Sequence, residues 1–204
     1  ACLSPIGEDL LRRGLEARVR ADFATAVTRP PSVYRGNPFQ VEVGLAYGGG
    51  LPAEEPVELC RFANRVPLQY QQSACAITRA ALSVDWKGYG LQQARGALPA
   101  GPAIVFVHLA SAWVPFTSES KEAIASYPEI VKEVRLALQE AGRRLGAFVR
   151  HRRRAADEAK KRSYIERYIP HIGDALQQIL GLTDAKRDRA VEDLKRILER
   201  SRKV

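Results

Sequence analysis

A chain of 204 residues, 46% hydrophobic and 27% charged, is long enough for one buried core with a helical satellite. It has no apolar run near the roughly 20 residues that span a bilayer, and no signal peptide is expected at Ala1. The formal net charge of +9 points to a polyanionic partner, nucleic acid being the commonest, although a solvated basic helix would give the same count.

Cys2, Cys60 and Cys75 are too few and too scattered for a disulfide framework or a zinc site. All three read as small buried hydrophobes of a reducing cytoplasm. Methionine is absent, which reads as a piece of a longer polypeptide.

In chain order, Leu3 to about Arg20 reads as a helix begun by Ser4 and Pro5, with Leu10, Leu11, Leu15 and Val19 at helical spacing. Phe23 to Arg29 reads as a short strand ended by Pro30 and Pro31. Phe39, Val41, Val43, Leu45 and Tyr47 alternate with Gln40, Glu42, Gly44 and Ala46, the pattern of a half-buried strand. Gly48, Gly49, Gly50 and Pro52 make a turn, and Val57 to Val66 returns as the second strand of a hairpin. Because those glycines sit in a hairpin loop and open no helix, they are taken as a turn and not as a phosphate cradle.

Ser73 to Val84 is a short helix with a small-residue face. After a loop with Gly96, Pro99 and Pro102, the run from Ala103 is a strand buried on both faces. It passes Pro115 into a polar loop that presents one cation, Lys121. Ser126-Tyr127-Pro128-Glu129 matches a capping box. The long helix behind it carries Ile130, Val134, Leu138, Ala141, Leu145 and Phe148 on one face, then the basic block Arg150 to Arg154. Its apolar face restarts at Tyr164, and Pro170 is expected to kink it. Asp184 to Val204 reads as a small docking helix. The expected fold is α+β: a four-stranded sheet with helices on one face, and a long C-terminal helix.

No complete catalytic constellation appears. His108, inside the apolar strand, reads as a hydrogen-bonded core histidine, and His151 and His171 have no partner at usable spacing. Neither a Walker-type loop nor G-x-G-x-x-G is present. Lys121 is either a plain exposed lysine in a helix first turn or, since a cation there opposes the helix dipole, the partner of an anion such as a terminal phosphate. Trp86-Lys87-x-Tyr89 either caps the sheet or lies along a sugar-phosphate backbone, with the lysine on a phosphate. Arg150 to Arg154 is a solvated face or a DNA-facing stalk.

Cys2-Leu3-Ser4-Pro5-Ile6-Gly7-Glu8, Thr28 to Gly49, Arg61 to Thr78 and Trp113 to Ile124 closely resemble the B subunit of archaeal DNA topoisomerase VI, the type IIB family. The resemblance implies a transducer domain at 21–150. It implies the end of a helix-two-turns-helix region at 1–20, a stalk helix at 128–181 and a docking helix at 182–204. It also implies a left-handed βαβ crossover, against the general rule.

By the same resemblance, Lys121 is the switch lysine on the ATP γ-phosphate. Trp86, Lys87 and Tyr89 are then DNA contacts, to which the basic block adds Arg150, Arg152 and Arg153 as expected DNA-binding residues. ATP is bound mainly by an N-terminal ATPase domain that is not in this sequence, and Mg2+ acts only in the full complex, so this chain alone is expected to be inactive. The implied partners are the A subunit of topoisomerase VI, double-stranded DNA and the ATPase domain in cis or in trans, in a heterotetramer of two A and two B subunits in the cytoplasm. The alternative is a stand-alone basic nucleic-acid-binding α/β module.

Overall fold

The structure, a computed structural model, describes residues 3–200; Cys2 and the end of the expected docking helix lie outside them. The chain divides between Arg150 and His151 into two compact units.

The first unit is built on a six-stranded sheet. Its strands are β1 (Phe23–Thr28), β2 (Ser32–Tyr34), β3 (Asn37–Tyr47), β4 (Glu58–Ala63), β5 (Val66–Pro67) and β6 (Ala103–Ser111). The order is β1-β3-β6-β4-β5, with β2 paired to β3. The four longer strands are those expected from the sequence; the short β2 and β5 are additional.

β3 and β4 do not form the expected hairpin. β6 lies between them, antiparallel to β3 and parallel to β4. The reason is hydrophobic: Val105, Val107 and Leu109 are fully apolar and buried, so β6 takes the most enclosed place in the sheet. The three glycines make the detour possible. Gly49 lies so close to the Arg20 carbonyl that any Cβ would overlap it, and Gly50 donates its N–H to the same oxygen at 2.9 Å.

Helices cover both faces of the sheet, not one. α2 (Ala76–Leu82) and the first part of α3 share a core with Val41, Val43, Leu45, Val105, Val107 and Leu109. On the opposite face, α1 (Glu8–Arg18) sets Leu11 and Leu15 over Gly44, where a Cβ would come within 2.7 Å of Leu15. Glu42 and Ala46 on that face are buried as well. The polar–apolar alternation of β3 therefore does not mean that one face is wet. α1 begins only at Glu8, because Gly7 at φ 93 leaves the helical region.

The capping box does not close. Ser126 Oγ is buried without a hydrogen-bond partner, and α3 (Pro128–Leu180) starts with Pro128 at its first turn. α3 runs as helix without a break across Pro170. Arg144 fastens the first part of α3 to Glu8 (2.8 Å) and to the Ala26 carbonyl (2.7 Å), and Arg29 bonds Glu133 at 3.0 Å.

In the second unit the remainder of α3 pairs with α4 (Asp184–Arg200). Gly173 admits Val191, whose methyl would clash with any Cβ there, and Gln177 bonds Asp184. Ile169 is buried, whereas Tyr164, Ile165, Tyr168, Ile172, Ile179, Leu180 and Ile197 are exposed. No helix among the described residues is long and apolar enough to cross a membrane.

Candidate functional site

Lys121 stands at the tip of a loop, not in a helix first turn. The loop is closed by the Phe116–Ile124 bridge and by Thr117 N–H donating to Ala123 O at 2.9 Å. Lys121 N–H returns to Ser118 O at 3.2 Å, which puts the lysine at φ 54, a left-handed conformation strained for a side-chain-bearing residue. Its side chain is exposed, and among the described residues it makes no ion pair. An anion arriving from outside would meet an uncommitted ammonium.

Beside it lies a groove of about 530 Å³, lined by Trp113, Pro115, Phe116, Glu119 and Tyr127 among others. Trp113 is 71% exposed. A second cation sits near by: Arg35 stacks over the rings of Tyr34 and Tyr127, at 5.5 and 5.3 Å. Burial and the Tyr127 hydrogen bond push the Tyr34 phenol up to about 12, against the lowering effect of Arg35. Nothing in the sequence pattern pointed to Arg35; only the Tyr34–Tyr127 contact, at 4.1 Å between centroids, gives it a platform.

The Trp86-Lys87-x-Tyr89 element divides by burial. Trp86 is 1% exposed, and its indole N–H donates to Ala81 O at 2.9 Å, so its expected place along a DNA backbone is corrected: it belongs to the core. The tryptophan is too apolar to stay in solvent when a pocket behind α2 can take it. Tyr89 is half-buried, its ring lying in a notch that Gly142 and Gly146 leave on α3, where a Cβ on Gly142 would overlap it. The two aromatic residues thus hold the short helical turn from Lys87 to Tyr89 rigidly, while Lys87 itself is exposed. Lys87 shares a groove of about 340 Å³ with Arg95, a cation that the sequence did not single out, and with Asp85.

Arg150, in the first unit, and Arg152 and Arg153, in the second, are exposed. Among the described residues no group of three or more His, Cys, Asp or Glu has the geometry to hold a metal ion. Cys75 is buried as expected. Cys60 is only half-buried, and burial together with Glu58 pushes its thiol up to about 11.

His108 is the core histidine that was expected, but its partner was not. It is fully buried against Glu42, Nδ1 to Oε2 at 2.8 Å. Glu42 also accepts the N–H of Ile6 (2.8 Å) and of Gly7 (2.7 Å) and the hydroxyl of Thr28 (3.2 Å). Burial alone would raise the carboxyl; the His108 bond and then the two amides outweigh it and hold it below the usual carboxylate range. A group whose folded value is depressed contributes stability above its unfolded value, about 4.3 for Glu, and loses it as pH falls through the folded value. The thermal midpoint is therefore expected to drop on acidification below about pH 4, and Glu42→Leu, followed in the same pH series by circular dichroism, to flatten that drop.

What this geometry defines is an α+β domain with separately mounted cations: one on a strained loop beyond the central strand, another on a short turn pinned by aromatic rings. The sequence model described as topoisomerase VI B subunit, transducer, matches residues 1–161. The chain is 48% identical to the B subunit of type 2 DNA topoisomerase 6 from Archaeoglobus fulgidus over 93% of its length and 31% of that protein's. Against the same protein of Methanosarcina mazei the identity is 49%, covering 88% of this chain and 29% of the relative. Against that of Thermococcus kodakarensis it is 43%, covering 90% and 32%.

The chain belongs to the topoisomerase VI B-subunit transducer family. It spans about a third of the length of these relatives. Among solved structures, the B-subunit of DNA gyrase from Myxococcus xanthus overlays 64% of this chain and 36% of its own at a TM-score of 0.39 and 22% identity, too distant to argue from.

Proposed function

We propose that this chain is the relay segment of the B subunit of an ATP-hydrolysing type II DNA topoisomerase, carrying the nucleotide state of an ATPase domain to a DNA-cleaving A subunit for double-strand passage. The observation that carries this reading is Lys121: an exposed cation at the tip of a closed loop, without an ion-pair partner among the described residues, in a chain whose family is the B-subunit transducer. Lys121 fits a terminal phosphate, which it would hold by charge-assisted hydrogen bonds. Once hydrolysis removes that phosphate, Lys121 loses its partner and the loop is free to shift relative to the ATPase domain. β6 and α3, which flank the loop in the chain, carry the shift onward. In this reading ATP is held mainly by an N-terminal ATPase domain, and Mg2+ acts in the full complex.

The exposed apolar residues of the second unit, Tyr164, Ile165, Tyr168 and Ile172 among them, support a docking role toward the A subunit. The chain mixed with a cognate A subunit is expected to co-elute with it in size-exclusion chromatography. Failure to form that complex, together with tight nucleic-acid binding by the chain alone, would favour the stand-alone basic module and overturn the relay.

On the DNA side the reading rests on Lys87, with Arg150, Arg152 and Arg153 as further exposed cations. Lys87→Ala is expected to reduce the slope of log affinity against log salt by about 1. Trp86→Phe should leave that slope unchanged and lower thermal stability instead, since it removes a core indole and its bond to Ala81. A slope that Lys87→Ala does not alter removes Lys87 from the DNA surface.

A further inference from the structure

The β4–β5 turn, Asn64 and Arg65, joins three parts of the first unit that are distant in sequence. Both residues have positive φ, 46 and 69. The Asn64 side chain brackets the end of β6: its amide donates to Ser111 O and its carbonyl oxygen accepts Ser111 N–H, each at 2.9 Å. The Ser111 hydroxyl then accepts Trp113 N–H at 3.2 Å and lies 3.0 Å from the Pro38 and Trp113 carbonyls, at the root of the Lys121 loop. On its other side the turn reaches the segment that leads into α1: the Arg65 guanidinium donates to Pro5 O at 3.2 Å.

Behind the turn a buried circuit closes. Arg65 N–H donates to His108 Nε2 at 3.0 Å, so that nitrogen is bare and the proton sits on Nδ1, facing Glu42. Glu42 in turn holds the N–H groups of Ile6 and Gly7. Three consecutive residues, Pro5 to Gly7, are thus held by one strand pair and one turn. A buried carboxylate is poor glue, since taking its charge out of water costs much of what its hydrogen bonds return. A buried carboxylate that satisfies four donors does, however, specify a single register, and the register here is that of the entering segment against β6.

We propose that the Asn64–Arg65 turn, backed by Glu42 and His108, is a positioning node that fixes the root of the Lys121 loop to the segment by which the chain enters the domain. It deepens the relay reading and rests on it for its functional consequence: the pull of whatever precedes Pro5 and the position of Lys121 become coupled through one turn. Asn64 and Arg65 touch no reacting atom, and they act through Ser111 and Pro5.

The test uses glycine, because glycine keeps the left-handed backbone and removes only the side chain. In hydrogen exchange of the chain, Asn64→Gly is expected to speed the amides of Trp113, Thr117 and Ala125 by about ten-fold or more while those in the middle of β3 keep their protection. Arg65→Gly is expected to do the same to Ile6 and Gly7 and, through the circuit, to speed the loop amides as well. Loop amides unchanged in both variants would overturn the node. This measurement involves no nucleotide and no partner, so it stands or falls apart from the topoisomerase reading.

In the full-length protein, in complex with its A subunit, Asn64→Gly is expected to lower strand passages per nucleotide hydrolysed by about three-fold, within the range by which residues along coupling networks act. Purely structural damage would lower hydrolysis and passage together, and an unchanged ratio would also overturn the proposal.

Discussion

Lys121→Gly, introduced into the full-length B subunit in complex with its A subunit, is expected to lower ATP-driven supercoil relaxation about 100-fold, the usual effect of removing one preorganised donor from a developing phosphate charge. Glycine is the informative replacement because Lys121 holds φ 54. Alanine would remove the ammonium but keep a backbone strain of about 1 kcal/mol; glycine removes both. If the ammonium matters, the two variants fall equally and Lys121→Arg retains part of the activity. If the strain stored in the backbone matters, alanine keeps activity and glycine loses it. The fold is expected to survive in every case, because the side chain is exposed and unpaired among the described residues, and the thermal midpoint of the glycine variant should be equal or slightly higher. Near-normal relaxation by Lys121→Gly would take the lysine out of the mechanism.

The second large effect is on stability. Glu42→Gln is expected to cost about 2–4 kcal/mol, because it removes a charged acceptor and leaves buried donors unsatisfied at about 1–3 kcal/mol each. For a domain of this size that is a fall of roughly 10 °C in thermal midpoint, read by circular dichroism. The argument is one of donors and acceptors. Four groups donate to Glu42: the Ile6 and Gly7 amides, the Thr28 hydroxyl and His108 Nδ1. Glutamine offers one oxygen and brings a new N–H2 into the same shell. His108 has no escape by changing tautomer, since a proton moved to Nε2 would face the Arg65 N–H. Nor does a pair of apolar replacements rescue the site, because the Ile6 and Gly7 amides would still be buried without an acceptor. A loss below about 1 kcal/mol would show that water replaces the carboxylate freely and that the circuit is not tight.

Much of the fold could be read along the chain. β6 announced itself as a strand buried on both faces because seven apolar positions in nine leave no polar side to turn outward, and His108 within it read as a bonded core histidine. β3 was recognised as a strand from its alternation, yet the same alternation misled about its surroundings: Glu42 and Gly44 look like a wet face, and they are the seat of a buried ion and of Leu11 and Leu15. Alternation reports which residues share a face, not what covers it. The capping pattern at Ser126 failed for a related reason, since the hydroxyl was drawn into the interior while Pro128 began the helix without it.

The candidate sites divide in the same way. Lys121 and Lys87 were legible because a lone lysine among hydroxyl and acidic residues, or between a tryptophan and a glycine, stands out in any reading. Trp86 was assigned to the wrong side, since the same aromatic residue suits a core and a nucleic-acid backbone equally well and only the packing of α2 chooses between them. Arg35, Arg95 and the Asn64–Arg65 turn carry no local signature. Each matters through a neighbour far along the chain or across a groove, as Arg35 does through Tyr127 and Asn64 through Ser111.

By itself the sequence determined the four longer strands, the long helix, the exposed lysines and the family, because local pattern and matched residues are properties of contiguous chain. The tertiary structure alone decided that β6 divides β3 from β4, that α1 covers the second face, that Trp86 is interior and that one turn ties Pro5 to Ser111. These rest on burial and on hydrogen bonds between distant segments, whose strength depends on which groups are removed from water together, and that choice is made only when the sheet closes.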